Sequence, residues 1–432
     1  MSTVSMSSIQ AVRVKRVVDG RGGPPLEDGV VEFASERINR VVPAADYGAP
    51  EGVSVWDLRP YTLLPGLIDA HVHVLASGEL SEPGWFVRGA TELPATVALN
   101  AFANAHRALR AGFTTIRDLA CRHYADVALR DAINAGLVEG PRMKVCGMGL
   151  TSSAGHMDPG STLIPGVEPH GLAEVVDSPD QGRAAVRRNL RRRVDFIKIN
   201  ATESELVRGF GMQCSPEMTL ETMRAICDVA HAHNRRVAAH CHGGIGVTWA
   251  LEAGVDVLEH GRYLTDEHLE TMVRRGVFLC PTLIPETVSP RPSDPAMVAW
   301  LDRTRAIMYE SVRRARDAGV EIVNGSDAGF GGVTHGYGGA CEIAELVNAG
   351  LSPMHAIVAA TRTAARCLDM ESQVGTIEPG KFADLVLVDG DPLADITILQ
   401  RSERIPLVIK GGRIVADRRP SRTAAPAAHR TR

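Results

Sequence analysis

Short apolar runs with the alternation of β-strands open this chain, close it, and recur through its middle, where helical patterns separate them. From about Ala11 to Leu63 the runs are brief and broken by Gly, Pro and Asp, and residues 29–33 and 38–42 alternate as half-buried strands do. The same texture returns at 383–390 and 407–415. Two β-rich ends around a different middle predict one small β-sandwich-like domain built from both termini. Its N-terminal part is placed at 1–63 and its C-terminal part at 371–418. The Arg-, Ala-, Pro- and Thr-rich residues 419–432 are expected to form a disordered tail.

Between 64 and 370 eight strand-like runs alternate with helical stretches, the pattern of parallel βαβ units. The first ends at His71 and His73. The others lie at 114–118, 143–147, 196–199, 237–240, 255–260, 277–280 and 322–327. A helix start is predicted at Ser215-Pro216-Glu217, with Ser as cap, Pro first and an acid close behind. Eight such units predict an α/β protein with a closed (β/α)8 TIM barrel at 64–370, a fold whose active sites form at the C-terminal ends of the strands.

At 432 residues the chain suits a large barrel with an accessory module. A net charge of −4 argues against nucleic acid or a membrane surface as a partner. The basic run 187–193 precedes a strand and reads as the solvated end of a helix. Eight cysteines are scattered without a Cys-x-x-Cys pair, several inside apolar runs, as expected in a reducing compartment. The N-terminal residues lack a signal-like apolar core, so a cytoplasmic location is expected, with a homo-oligomeric state.

The chemistry gathers at the strand ends. His71 and His73, two residues apart on a strand, project to one face. The fourth run brings Lys198, the fifth His240, the sixth His260 and the eighth Asp327. A closed barrel would converge these six on one mouth, where their donors could hold one or two divalent metals, zinc suiting imidazole well. Glu259 precedes His260 and is expected on the opposite face, in a structural role. His106, His231, His233, His268 and His355 sit in helical patterns and read as surface or packing residues.

The motifs at Pro65-Gly66-Leu67-Ile68-Asp69-Ala70-His71-Val72-His73, Phe196-Ile197-Lys198-Ile199, Ala239-His240-Cys241-His242-Gly243, Glu259-His260-Gly261 and Gly325-Ser326-Asp327-Ala328-Gly329 resemble the amidohydrolase superfamily. The similarity is to its binuclear members with a carboxylated lysine, within the dipeptidase and carboxypeptidase-like, imidazolonepropionase-related group. It implies that His71, His73 and Asp327 hold one metal and His240 and His260 a second, with CO2-carboxylated Lys198 bridging them. It further implies hydrolysis of a C–N bond by a metal-bridging hydroxide, with Asp327 as proton shuttle.

A dipeptide or N-acyl amino acid is the expected substrate. A cyclic amide, urea, carbamate or aryl-amide xenobiotic is the alternative among hydrolases, and a non-catalytic binding or assembly subunit the alternative outside them. His156 follows the third strand and is expected to meet substrate, as are His242, which shares a face with His240, and His335 on the last loop. The loop 202–211 departs from the Gly-rich continuation of the peptidase-like members, and its Arg208 reads as solvated.

Overall fold

The computed structural model describes residues 11–80, 84–158, 160, 170–203, 214–287 and 295–419. Arg208 and most of the tail lie outside the described residues. The strands in chain order are β1 (Ala11–Val17), β2 (Leu26–Ala34), β3 (Arg37–Pro43), β4 (Val55–Asp57), β5 (Thr62–Pro65), β6 (Leu67–Val72), β7 (Phe113–Asp118), β8 (Arg142–Val145) and β9 (Gly149–Thr151). They continue with β10 (Ala173–Val175), β11 (Ile197–Asn200), β12 (Val237–Gly243), β13 (Val257–Tyr263), β14 (Phe278–Cys280), β15 (Leu385–Val388), β16 (Leu407–Lys410) and β17 (Arg413–Asp417).

One sheet takes strands from both ends of the chain, in the order β17-β16-β15-β5-β1-β2-β3, with β4 pairing β1. Its alternating apolar positions, among them Val12, Val14, Phe33, Leu63, Leu385 and Ile409, pack into one cluster. β5 runs directly into β6 through Gly66, whose N–H donates to Asp384 O at 2.7 Å. A Cβ at this position would stand 2.0 Å from Thr114 Oγ1, so only glycine lets the chain pass from one sheet to the next.

The middle is a mixed α/β layer structure around parallel strands. β6, β7 and β8 form one parallel sheet, and β10-β9-β11-β12-β13-β14 form a second. β9 and β10 are additions to the eight runs that the pattern predicts. The eighth run is not a continuous ladder. It makes isolated parallel bridges, Ile322 to Leu279 of β14 and Ala328 to Val72 of β6. Between them Asn324 O accepts from Ala70 N at 2.9 Å, and Asp327 N donates to His71 O at 2.8 Å. Segment 322–328 thus spans from the second parallel sheet to the first.

Helices cover the outward residues of these strands. Helix Pro179–Arg191 buries Ala185, Val186 and Asn189, while Arg187, Arg188 and Arg191 face solvent. Its cap is Ser178, whose side chain accepts from Gln181 N, with Pro179 in the first turn. The next helix begins later than its sequence signature suggests. Thr219, not Ser215, caps Leu220–Ala232. Residues 215–217 instead run alongside the end of β11, with Glu203 N donating to Ser215 O and Glu217 N to Ala201 O, both at 3.0 Å. Tertiary pairing has overridden a local cap. All eight cysteines are buried and outside any disulfide. Among the described residues, no helix is long and apolar enough to cross a membrane.

Candidate metal centre

Strand alternation places most of the polar side chains inside. On β11 Ile197 and Ile199 join the cluster under the helices, which leaves Lys198 and Asn200 on the inner face. On β12 Ala239 and Cys241 face the helices, and His240 and His242 the interior. β13 breaks the rule in a revealing way. Val257 packs inside and Leu258 outside, so Glu259 is the residue that alternation turns inward. His260 reaches the site only because its backbone adopts φ 74°, followed by Gly261 at φ 61°. The sequence expectation of Glu259 on the opposite face is therefore wrong. Both side chains face in.

Asp327 also has a left-handed backbone, φ 57°. Two non-glycine residues held in this region cost about 1–3 kcal/mol each, a strain common at functional sites. Close packing fixes the segment. A Cβ at Gly325 would stand 2.3 Å from Cys280 Sγ and 3.0 Å from His71 N, so only glycine at 325 lets the segment that carries Asp327 pass this close to β6.

Hydrogen bonds at the far side of each imidazole determine what its near side presents. His71 Nδ1 is 2.8 Å from Glu259 Oε2, and Arg117 donates to Glu259 Oε1 at 2.7 Å and to Ala70 O at 2.6 Å. A carboxylate accepts, so His71 carries its proton on Nδ1 and offers an Nε2 lone pair. His260 Nδ1 is 2.6 Å from Thr282 Oγ1, whose own hydrogen goes to Pro281 O at 2.8 Å. The hydroxyl must therefore accept from His260, which again leaves Nε2 bare. His73 donates from Nδ1 to Ala120 O at 3.4 Å.

Asp327 Oδ1 lies 3.2 Å from His73 Nε2 and 3.4 Å from His71 Nε2, yet this oxygen has no hydrogen-bond partner. With its proton on Nδ1, His71 turns an Nε2 lone pair toward this carboxylate oxygen. Ligand atoms of His71, His260 and Asp327 all fall within 4.8 Å of one another.

The remaining imidazoles stack around this point. Ring centroids are 5.3 Å apart for His71 and His260, 4.4 Å for His240 and His260, and 4.6 Å for His240 and His242. His156 lies 4.1 Å from His240. Its Nδ1 and backbone N contact Glu217 Oε1 at 2.6 and 2.9 Å, and Thr151 donates to Glu217 Oε2 at 2.9 Å. Glu217 is a site residue that the sequence reading assigns to a helix start, and it arrives here because that helix begins at Leu220. His335 is placed differently. Its Nε2 donates to Ala76 O at 2.8 Å, beneath the loop that follows His73, and no ring contact links it to the histidine cluster among the described residues.

The model of the amidohydrolase family matches residues 62–415. The chain belongs to the amidohydrolase family. The ochratoxinase of Aspergillus niger is 29% identical over 375 residues, covering 82% of this chain and 76% of that one. A crystal structure of an Xaa-Pro dipeptidase with methionine in its active site is similar at TM-score 0.82 and 29% identity, over 94% of this chain and 98% of that chain. A prolidase complexed with N-methylphosphonate-L-proline is similar at TM-score 0.79 and 29% identity, over 94% and 99%.

In this amidohydrolase, burial holds His71, His240, His242 and His260 well below the ordinary imidazole pKa, in the neutral form that binds metals. Burial also opposes ionisation of Asp327, but His71, His73 and Lys198 overcome it and hold the carboxyl at about 2. Lys198 is itself lowered by burial, against the pull of Glu259 and Asp327. A buried amine with a depressed pKa has more of the neutral form, the nucleophile that can attack CO2 and lose its proton to give a carbamate.

Several inward atoms lack any partner: His240 Nε2, His242 Nδ1, Asp327 Oδ1, and both polar atoms of Asn200, whose Cα pairs with that of His240. An unpaired buried polar group costs about 1–3 kcal/mol. Neutral imidazoles, one ionised carboxylate and orphaned lone pairs at one place fit divalent cations.

Proposed function

We propose that this amidohydrolase is a metal-dependent hydrolase of a small amide, with its centre at the mouth of a (β/α)8 barrel that segment 322–328 completes. The barrel would occupy 64–370, and 1–63 with 371–418 would form the β domain. His71, His73 and Asp327 would hold one cation, and His240 and His260 the other, with carboxylated Lys198 between them. When bound, the cations would polarise the scissile carbonyl and make water acidic enough to attack near neutral pH.

The carrying observation is the convergence of His71 Nε2 and His73 Nε2 on Asp327 Oδ1, at 3.4 and 3.2 Å. The chain's own groups do the rest. Glu259 and Arg117 fix the tautomer of His71, and Thr282 that of His260. Asp327, ionised, takes the proton of the attacking water and returns it to the leaving nitrogen. His156, held by Glu217, and His242 would face the substrate. A dipeptide or N-acyl amino acid is the favoured substrate class, supported by the similarity to an Xaa-Pro dipeptidase and a prolidase.

The test is elemental analysis of protein from metal-replete expression, together with hydrolysis of a panel of dipeptides, Xaa-Pro dipeptides and N-acyl amino acids. Close to two metal equivalents, lost with activity in Lys198→Ala, is expected. Well under one equivalent in the parent protein would overturn the metal centre, and hydrolysis of aryl carbamates alone would overturn the substrate class.

A further inference from the structure

A cavity of about 580 Å3 lies between helix Pro94–Arg110, the loop that carries His335, and the C-terminal segment around 399–418. Four arginines line it: Arg107, Arg110, Arg401 and Arg418. Among the described residues, none of these four has a carboxylate oxygen within 4 Å of its guanidinium nitrogens. Glu403 is the sole acidic residue in the lining. Four cationic groups against one acid in the described lining leave a net positive charge in a concave space.

Two of the arginines are pinned rather than loose. Arg418 donates to Arg110 O at 2.8 Å and to Ile405 O at 3.0 Å, and Arg110 donates to Val415 O at 3.4 Å. Carbonyl oxygens fix these guanidinium groups without neutralising them. Burial and the neighbouring charge of Arg110 lower the pKa of Arg418, the mark of positive groups held together against repulsion. Arg107 and Arg401 are exposed and free to close on a ligand. Buried in the same lining is His335, 1% exposed, whose Nδ1 has no partner while its Nε2 is bound to Ala76 O.

We infer that this cavity is a binding site for a compact polyanion, phosphate- or carboxylate-bearing, separate from the histidine cluster. The volume is that of an ordinary small-molecule site. Guanidinium groups bind both phosphate and carboxylate through paired N–H donors. Tyr337, half-exposed at the rim, offers an aromatic face to whatever carries the anionic groups. The inference stands apart from the proposed catalytic function, because it uses no residue of the metal centre.

Calorimetric titration of the full-length, metal-loaded protein with tripolyphosphate and, separately, with citrate tests it, at low and at high salt. Saturable binding of either probe, weakening as salt is raised, is expected, and the preferred probe distinguishes phosphate from carboxylate recognition. Arg107→Ala with Arg401→Ala removes two exposed side chains and should weaken binding by at least about tenfold, with an unchanged melting temperature. Absence of binding by both probes, or equal affinity in the double variant, would overturn the site. So would dissociation of an oligomer by Arg107→Glu with Arg401→Glu, since a second copy of the chain would then be the occupant.

Discussion

His71 Nδ1 stands 2.8 Å from Glu259 Oε2, across 188 residues of chain. The other oxygen of Glu259 receives Arg117, which also reaches the carbonyl of Ala70, one residue before His71. The histidine is thus gripped at its ring and at its backbone by one buried ion pair. Partners of this kind are worth about 10- to 100-fold in metal affinity.

Glu259→Gln keeps the shape of this contact and removes its charge. Its amide can turn its NH2 toward His71, which allows the wrong tautomer and leaves Arg117 uncompensated. Metal affinity is expected to fall by about 10- to 100-fold, read by competition with a chromophoric chelator. Parent-like affinity would mean that His71 needs no such partner.

Asp327→Asn preserves a ligating oxygen and removes the base. The kcat is expected to fall by at least ~10²-fold with most of the metal retained, the usual loss when a positioned proton carrier is deleted. Metal content measured on the same preparation separates this outcome from simple loss of a ligand. Near-normal kcat with full metal would move the proton transfer to another group.

Lys410, far from the histidines, makes a prediction about stability. Its Nζ donates to Gly140 O at 2.6 Å, and burial, reinforced by Arg142 and opposed by Asp384, Glu139 and Glu36, lowers its pKa to about 8. The unfolded chain keeps the ordinary value, 10.5. Between these two values the unfolded state binds more protons, so this group makes stability rise with pH across that window. Below about 8 both states are protonated and its penalty is constant. In Lys410→Met the gain in melting temperature between pH 7.5 and 10 is expected to be smaller than in the parent. Parallel profiles for the two proteins would count against it.

Alternation and spacing carry much of this molecule in plain view. His71 and His73 are two apart on a strand, Lys198 is flanked by isoleucines, and βα alternation announces parallel strands. What escapes is set by single dihedral angles and by tertiary pairing. Glu259 reads as structural because His260 reads as the inward residue, and nothing local shows that His260 turns through φ 74°. Gly261 after it is the one available signal. Glu217 is hidden by a good helix-start signature that its neighbourhood overrides. The eighth run has the composition of a strand, yet glycine at 325 and the turn at Asp327 reduce it to isolated bridges. His335 follows Asp327 closely, and the loop between carries it under the backbone, where its Nε2 meets Ala76 O.

The sheet shared by the two chain ends also has a consequence in time. β5 pairs with β15, Leu64 opposite Val386, so a ribosome must deliver more than three hundred further residues before β5 gains its second neighbour. At ordinary elongation rates that wait is on the order of tens of seconds. Throughout it the growing chain presents the unpaired edge of β5, a run of Thr, Leu, Leu and Pro. A chaperone that shields nascent chains should therefore raise the yield of this protein more than that of a variant circularly permuted to begin at β15.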